Sequence, residues 1–109
     1  MWRNKQSEVE STLPEVQACA AFAVGSYNTF SKDPYLYVIA KFNSVTMANI
    51  GGGEYDMEVE LGKTNCLKAS HTDSSSCKIS PEAKVVHCHF VVLSAPWKHE
   101  RFLISSSCT

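Results

Sequence analysis

Between Glu54 and Leu61 the chain alternates without a break. Tyr55, Met57, Val59 and Leu61 fall on one side, and Glu54, Asp56, Glu58 and Glu60 on the other. A period of two predicts a strand with one dry and one wet face. Upstream the period changes: Val16, Ala20, Ala23, Val24 and Tyr27 recur at steps of three and four, which predicts an amphipathic helix over 12–30. Thr12-Leu13-Pro14-Glu15 reads as its start, with Thr12 as the cap, Pro14 suited to the first turn and Glu15 to the positive helix end. Ser31-Lys32-Asp33-Pro34 breaks it. The Tyr-, Val- and Ile-rich stretch Tyr35 to Thr46 predicts a strand, and Gly51-Gly52-Gly53 a turn into the alternating one. Val85 to Ser94 and Phe102 to Cys108 predict two more, separated by Ala95-Pro96-Trp97-Lys98-His99-Glu100. Residues 1–11 form a loose polar arm, and residues 68–84, polar and Ser-rich, an appended loop. The sum is an α+β fold, one long helix packed across a four-stranded antiparallel sheet.

A length of 109 residues leaves room for one domain, spanning 1–109, and 44% hydrophobic against 19% charged residues provides a core. A net charge of −1 supplies no basic stripe, so nucleic acid is excluded as a partner. The longest apolar run, Ala18 to Val24, falls far short of the roughly 20 residues of a membrane span, so no membrane partner is expected.

Five cysteines in so short a chain, none in a Cys-x-x-Cys pair, point to disulfides and an oxidising, extracellular setting. Residues opposite each other in a hairpin are equidistant from its turn. The midpoint of Cys88 and Cys108 is Lys98, inside the proposed turn, so those two are expected to bond. Cys66 and Cys77 centre on Ser70 to Thr72 and would staple the polar loop to its strand. Each link closes a loop of roughly 10 to 20 residues and contributes about 3 kcal/mol in the chain-entropy model. Cys19 is left over at the border of the apolar helix face, a buried thiol or the source of an intermolecular bond. The N-terminus has no apolar signal core, as expected of a secreted protein in mature form.

Cys19 with His71, His87, His89 and His99 raises the question of a Cys-His hydrolase, but no signature of an activated thiolate flanks Cys19. His87 and His89 share a strand face without a third ligand at metal spacing. The expectation is therefore no catalytic residue, no metal and no cofactor.

Three stretches resemble the type 2 cystatins, secreted inhibitors of papain-like cysteine proteases: Phe22-Ala23-Val24-Gly25-Ser26-Tyr27-Asn28, Val59-Glu60-Leu61-Gly62-Lys63-Thr64-Asn65-Cys66, and Ala95-Pro96-Trp97. The four C-terminal cysteines also have the family's spacing. The resemblance covers roughly residues 12 to 108 and implies a fifth strand, supplied by the arm. It also implies an inhibitory wedge at one end of the sheet: an arm with a Gly before the first strand, a first hairpin with Gln-x-Val-x-Gly, and a second with Pro-Trp. Such a wedge blocks a protease cleft by shape, with tight tips for close backbone approach and an aromatic anchor.

Carried over residue by residue, the first hairpin motif falls on Ala48-Asn49-Ile50-Gly51-Gly52, with Ala48 in place of Gln. Pro96-Trp97 is intact. No Gly precedes Gly25, and the arm position falls near Asn4 and Lys5, where Trp2 is the residue free to enter a subsite. Members that also inhibit legumain carry Asn in a Ser-Asn-Asp sequence after the helix; here Ser31-Lys32-Asp33 stands there, so no such activity is expected. The expected function is reversible, attenuated inhibition of papain-like, cathepsin-type proteases, against the alternative of a non-inhibitory secreted interaction protein of the same fold. Restoring Gln at position 48 is expected to tighten binding by about 1 to 2 kcal/mol. The family also exchanges strands between two chains through the first hairpin, where a strained Val drives opening; with three glycines at the tip, the chain is expected to be mainly monomeric, with the domain-swapped dimer as its minor form.

Overall fold

The computed structural model describes residues 6–70 and 76–109. Trp2, Asn4, Lys5 and His71 therefore lie outside the described residues. The element order is β1 (Ser7–Glu8), α1 (Pro14–Phe30), β2 (Tyr35–Ala48), β3 (Glu54–Leu67), a 3-10 turn at Lys68–Ser70, β4 (Val86–Ala95) and β5 (Glu100–Cys108). The five strands form one antiparallel sheet in the order β1-β2-β3-β4-β5.

The helix begins two residues later than the pattern predicted, at Pro14, and Thr12 is not its cap. Leu13 takes that place in extended conformation, with no side-chain cap bond. Pro14 needs no amide partner, which lowers the demand for a cap. At the other end Ser31 N–H donates to Tyr27 O at 2.8 Å and closes the helix. The Asn28 side chain then acts as a piece of strand, donating to Tyr37 O and accepting from Tyr37 N–H, both at 2.9 Å. This docks the helix C-terminus on the start of β2, and Tyr27 meets Tyr37 edge-on at 5.4 Å.

The dry face is the one the alternation identified. Val16, Cys19, Ala20, Ala23 and Val24 of α1 pack on Tyr55, Met57, Val59 and Leu61 of β3 and on Cys88, Phe90 and Val92 of β4. The helix meets the sheet mainly through small side chains, and the sheet supplies the volume, with Phe90 and Met57 fully buried. Each large side chain so buried contributes about 1.5 to 3 kcal/mol relative to exposure. Three register shifts between β2 and β3 bend the long hairpin: at Tyr35/Tyr37 the extra residues are on β3, and at Ile39/Lys41 and Phe42/Ser44 on β2.

β2 runs two residues past its predicted end, β4 is shifted by one residue, and β5 starts two residues before Phe102. The described parts of the polar stretch, 68–70 and 76–84, are more organised than a loop. After the 3-10 turn, Ile79 forms a bridge with Thr64, Ser80 N–H donates to Lys63 O at 2.8 Å, and a Cys66–Cys77 disulfide ties the segment to β3. The second disulfide joins Cys88 and Cys108, which are register partners. Cys19 is a free, buried thiol. No described helix is long and apolar enough to cross a membrane.

Candidate functional site

Two hairpin tips lie side by side at one end of the sheet. In the first, Gly53 N–H donates to Ile50 O at 2.8 Å, closing a turn over Ile50-Gly51-Gly52-Gly53. Gly51 has φ +59° and Gly53 φ +114°, values that side-chain-bearing residues reach only with strain. The second tip is a short 3-10 turn, Pro96–Lys98, closed by His99 N–H donating to Pro96 O at 3.0 Å. His99 sits in the left-handed region at φ 54°.

The tips are bonded to each other through Ser94. Its carbonyl accepts from Gly52 N–H at 3.0 Å and its N–H donates to Gly53 O at 2.9 Å. A Cβ at Gly51 would stand 3.8 Å from the Trp97 ring, and one at Gly52 would collide with Pro96. Trp97, 64% exposed, and Ile50, 41% exposed, stand out as apolar side chains on this edge.

Of the residues singled out in the sequence, Asn49, Ile50, Gly51, Gly52, Pro96 and Trp97 are thus brought together, all of them exposed except Gly52, which is half-buried. Ala48 is different: it is the last residue of β2 and 4% exposed, so it offers almost no side-chain surface there. A Gln at 48 would have to leave that buried position to reach a partner. Lys32 lies elsewhere. It follows the helix and precedes β2, whose 14 residues separate it from the first tip, a distance of about 46 Å at strand rise. Its neighbour Asp33 is held below the usual carboxylate range, chiefly by the Tyr35 amide and further by Lys63 and Tyr37.

The histidine pair has its own setting on the wet face of the sheet. His87 and His89 are register partners of Glu60 and Glu58, and a His89 ring nitrogen pairs with Asp56. Both rings are exposed and distant in the sheet from the tips.

Residues that the sequence pattern did not single out as a group lie beneath the second tip. Glu15 Oε2 accepts from Ser94 Oγ at 2.6 Å, from Arg101 Nε at 3.0 Å and from Cys19 Sγ at 3.4 Å, while Oε1 accepts from Arg101 Nη2 at 3.0 Å. Burial by itself would raise the Glu15 pKa, but the hydrogen bonds from Arg101, Ser94 and Cys19 outweigh it and hold the carboxyl below its ordinary value. Burial and the adjacent carboxylate push the Cys19 thiol up to about 11. A thiol so placed is a poor nucleophile. Glu15 alone reads as a helix-start residue; its partners come from 79 and 86 positions away, which no local pattern reveals.

A cystatin-domain family model matches residues 6–97 of the chain. A cystatin of Coturnix japonica is 38% identical over 96 residues, covering 85% of this chain and 82% of that one. A cystatin of Micropechis ikaheca is 34% identical over 104 residues, covering 89% of this chain and 74% of its own. Among solved structures, dimeric human cystatin F superposes with a TM-score of 0.90 at 20% identity, covering 100% of this chain and 89% of that one. Mialostatin, a gut cystatin from the tick Ixodes ricinus, superposes with a TM-score of 0.77 at 17% identity, covering 96% of this chain and 97% of that one. At these identities the structures speak for the fold, one helix on a five-stranded antiparallel sheet. The family model and the sequence relatives settle the kinship: the chain belongs to the cystatins, inhibitors of cysteine proteases rather than enzymes.

Proposed function

We propose that the chain is a reversible inhibitor of papain-like, cathepsin-type cysteine proteases, acting outside the cell and weaker than relatives with a complete wedge. The observation that supports this reading is the pairing of the two tips, in which Ser94 bonds Gly52 and Gly53 so that Ile50 and Trp97 lie on one edge. Such an edge can enter a cleft as a unit. Trp97 offers a rigid aromatic surface at low entropic cost, and the glycine tip lets the backbone come close to the cleft wall. Inhibition of this kind is occlusion: no peptide bond of the inhibitor is offered to the protease nucleophile, so complex formation is reversible.

Attenuation follows from Ala48, which cannot make the polar contact of a Gln and is buried besides. The same residue supports the second reading, a non-inhibitory secreted interaction protein. Lys32 in place of Asn leaves the distant loop without the residue after which legumain cleaves. Titration of papain with the protein and with Trp97→Ala tests the reading. Reversible inhibition by the parent that weakens roughly thirtyfold in the variant is the expected result; full protease activity at saturating parent protein would favour the interaction protein.

A further inference from the structure

We propose that Glu15 is a positioning residue, holding the two hairpin tips in register through Ser94 and Arg101 and thereby setting how tightly the wedge grips a protease. The inference rests on the inhibitory reading above. Ser94 is the junction. Its backbone is committed to the first hairpin, donating to Gly53 and accepting from Gly52, while its hydroxyl donates to Glu15. It is 1% exposed, so it cannot itself meet a protease. Arg101 is the register partner of Ser94 on β5, and its guanidinium grips both oxygens of the same carboxylate. One carboxylate therefore binds both strands directly beneath Pro96-Trp97, and through Ser94 it reaches the first tip. The forked, charge-assisted geometry makes this joint stiff as well as strong. Glu15 stands in the first turn of α1, where the helix's free amides favour an anion.

Stiffness matters because two tips must enter one cleft together. If their spacing fluctuates, the second contact gains less from the first, and ordering them on binding costs affinity. A network serving stability alone would lower the melting temperature of a variant without changing its affinity while folded.

Glu15→Gln keeps the shape and removes the charge. With both disulfides formed and the fold verified by circular dichroism, amide NMR shifts, papain inhibition and inhibition in a Trp97→Ala background are compared. The amides of Gly52 and Gly53 are expected to shift, inhibition to weaken roughly tenfold through faster dissociation, and the further loss in the Trp97→Ala background to be less than about twofold. Unmoved Gly52 and Gly53 amides, unchanged inhibition, or an equal loss in both backgrounds would each overturn the proposal. Should Glu15→Gln fail to fold, Arg101→Lys keeps the charge, loses the fork, and must give the same pattern. A parent protein inert toward papain sinks the inhibitory reading and the affinity claim with it; the coupling of Glu15 to the tips is then decided by the amide shifts.

Discussion

Gly52 lies so close to Pro96 that a Cβ at position 52 would come to 2.3 Å from Pro96 Cδ and 2.8 Å from the Ser94 carbonyl oxygen. The second obstacle is backbone and cannot rotate away. Gly52→Ala is therefore expected to part the tips, costing about 1 to 3 kcal/mol of stability as overpacking does and weakening inhibition. Thermal denaturation beside papain titration checks this; a variant with parental melting temperature would mean that the tips part freely. Gly51 is constrained differently, by φ +59° with its nearest neighbour at 3.4 Å. Gly51→Asn, which tolerates that conformation, is expected to cost less than Gly52→Ala.

Trp97 and Phe90 separate function from fold. Trp97 is 64% exposed and Phe90 fully buried. Trp97→Ala is expected to leave stability within about 0.5 kcal/mol of the parent while removing at least about 2 kcal/mol of binding, roughly thirtyfold. Phe90→Ala is expected to cost about 3 to 5 kcal/mol of folding free energy. Urea melts and inhibition constants for the two variants decide it, and a Trp97→Ala protein with parental inhibition would place the binding edge elsewhere.

How far the sequence carried these conclusions depended on the range of each signal. The dry face of β3 and the helix face are local periodicities, and Tyr55, Met57, Val59, Leu61, Val16 and Ala20 are all buried as their spacing required. The first strand was invisible to pattern: it is Ser7 and Glu8 alone, both exposed, held by pairing with Met47 and Thr46. The hairpin arithmetic for Cys88 and Cys108 succeeded because of a feature it could not see. Near the tip Ala95 pairs with Glu100, a centre between Trp97 and Lys98, and the irregularity at Val91/Val92 shifts the register to bring Cys108 opposite Cys88. Without that bulge Cys88 would face Ser107. The Glu15 network joins three separate elements, and residue types that read locally as a helix start, a strand Ser and a strand Arg gain their meaning only in space.

The lowered pKa of Glu15 carries a sign for acid stability. A carboxyl whose folded pKa lies below its unfolded value contributes stability that is present above the unfolded value and lost as pH falls through the folded one. Glu15→Gln is accordingly expected to be less stable than the parent at neutral pH, with the difference shrinking as pH drops below about 4. Asp33 is lowered as well and adds to the acid sensitivity of the parent without affecting the difference. Urea midpoints across this range test the claim; a gap that stays constant to about pH 2 would show that the charge of Glu15 does not stabilise the fold.

Cys19 is fully buried, and its thiol is pushed up to about 11 by burial and by Glu15. Iodoacetamide at about pH 8 is expected to leave it unmodified in the folded protein and to alkylate it once in denaturant. Non-reducing peptide mapping is expected to return Cys66 with Cys77 and Cys88 with Cys108. Rapid labelling of the native protein would mean that the helix N-terminus opens readily.

The first hairpin also bears on assembly. Strand exchange between two chains requires this turn to straighten, and straightening is favoured when the turn holds a side-chain-bearing residue in a strained conformation. Here the positive φ values of the first tip fall on Gly51 and Gly53, which adopt them without strain, and among the described residues the non-glycine with positive φ is His99, on the other tip. Opening would release no strain at residue 50 and would break the bonds from Gly52 to Ser94 and from Ser94 to Gly53. The glycines lower the barrier to other loop shapes, an effect on the rate of exchange more than on its equilibrium. Burial of Cys19 closes the alternative route through an intermolecular disulfide while the chain is folded. The protein is therefore expected to elute as a monomer in size-exclusion chromatography at micromolar concentration, with and without reductant too mild to open Cys66–Cys77 or Cys88–Cys108. A dimer that persists with Cys19 reduced would show that exchange proceeds without stored strain, and Gly51→Val, which puts a β-branched residue at φ +59°, should then raise its fraction further.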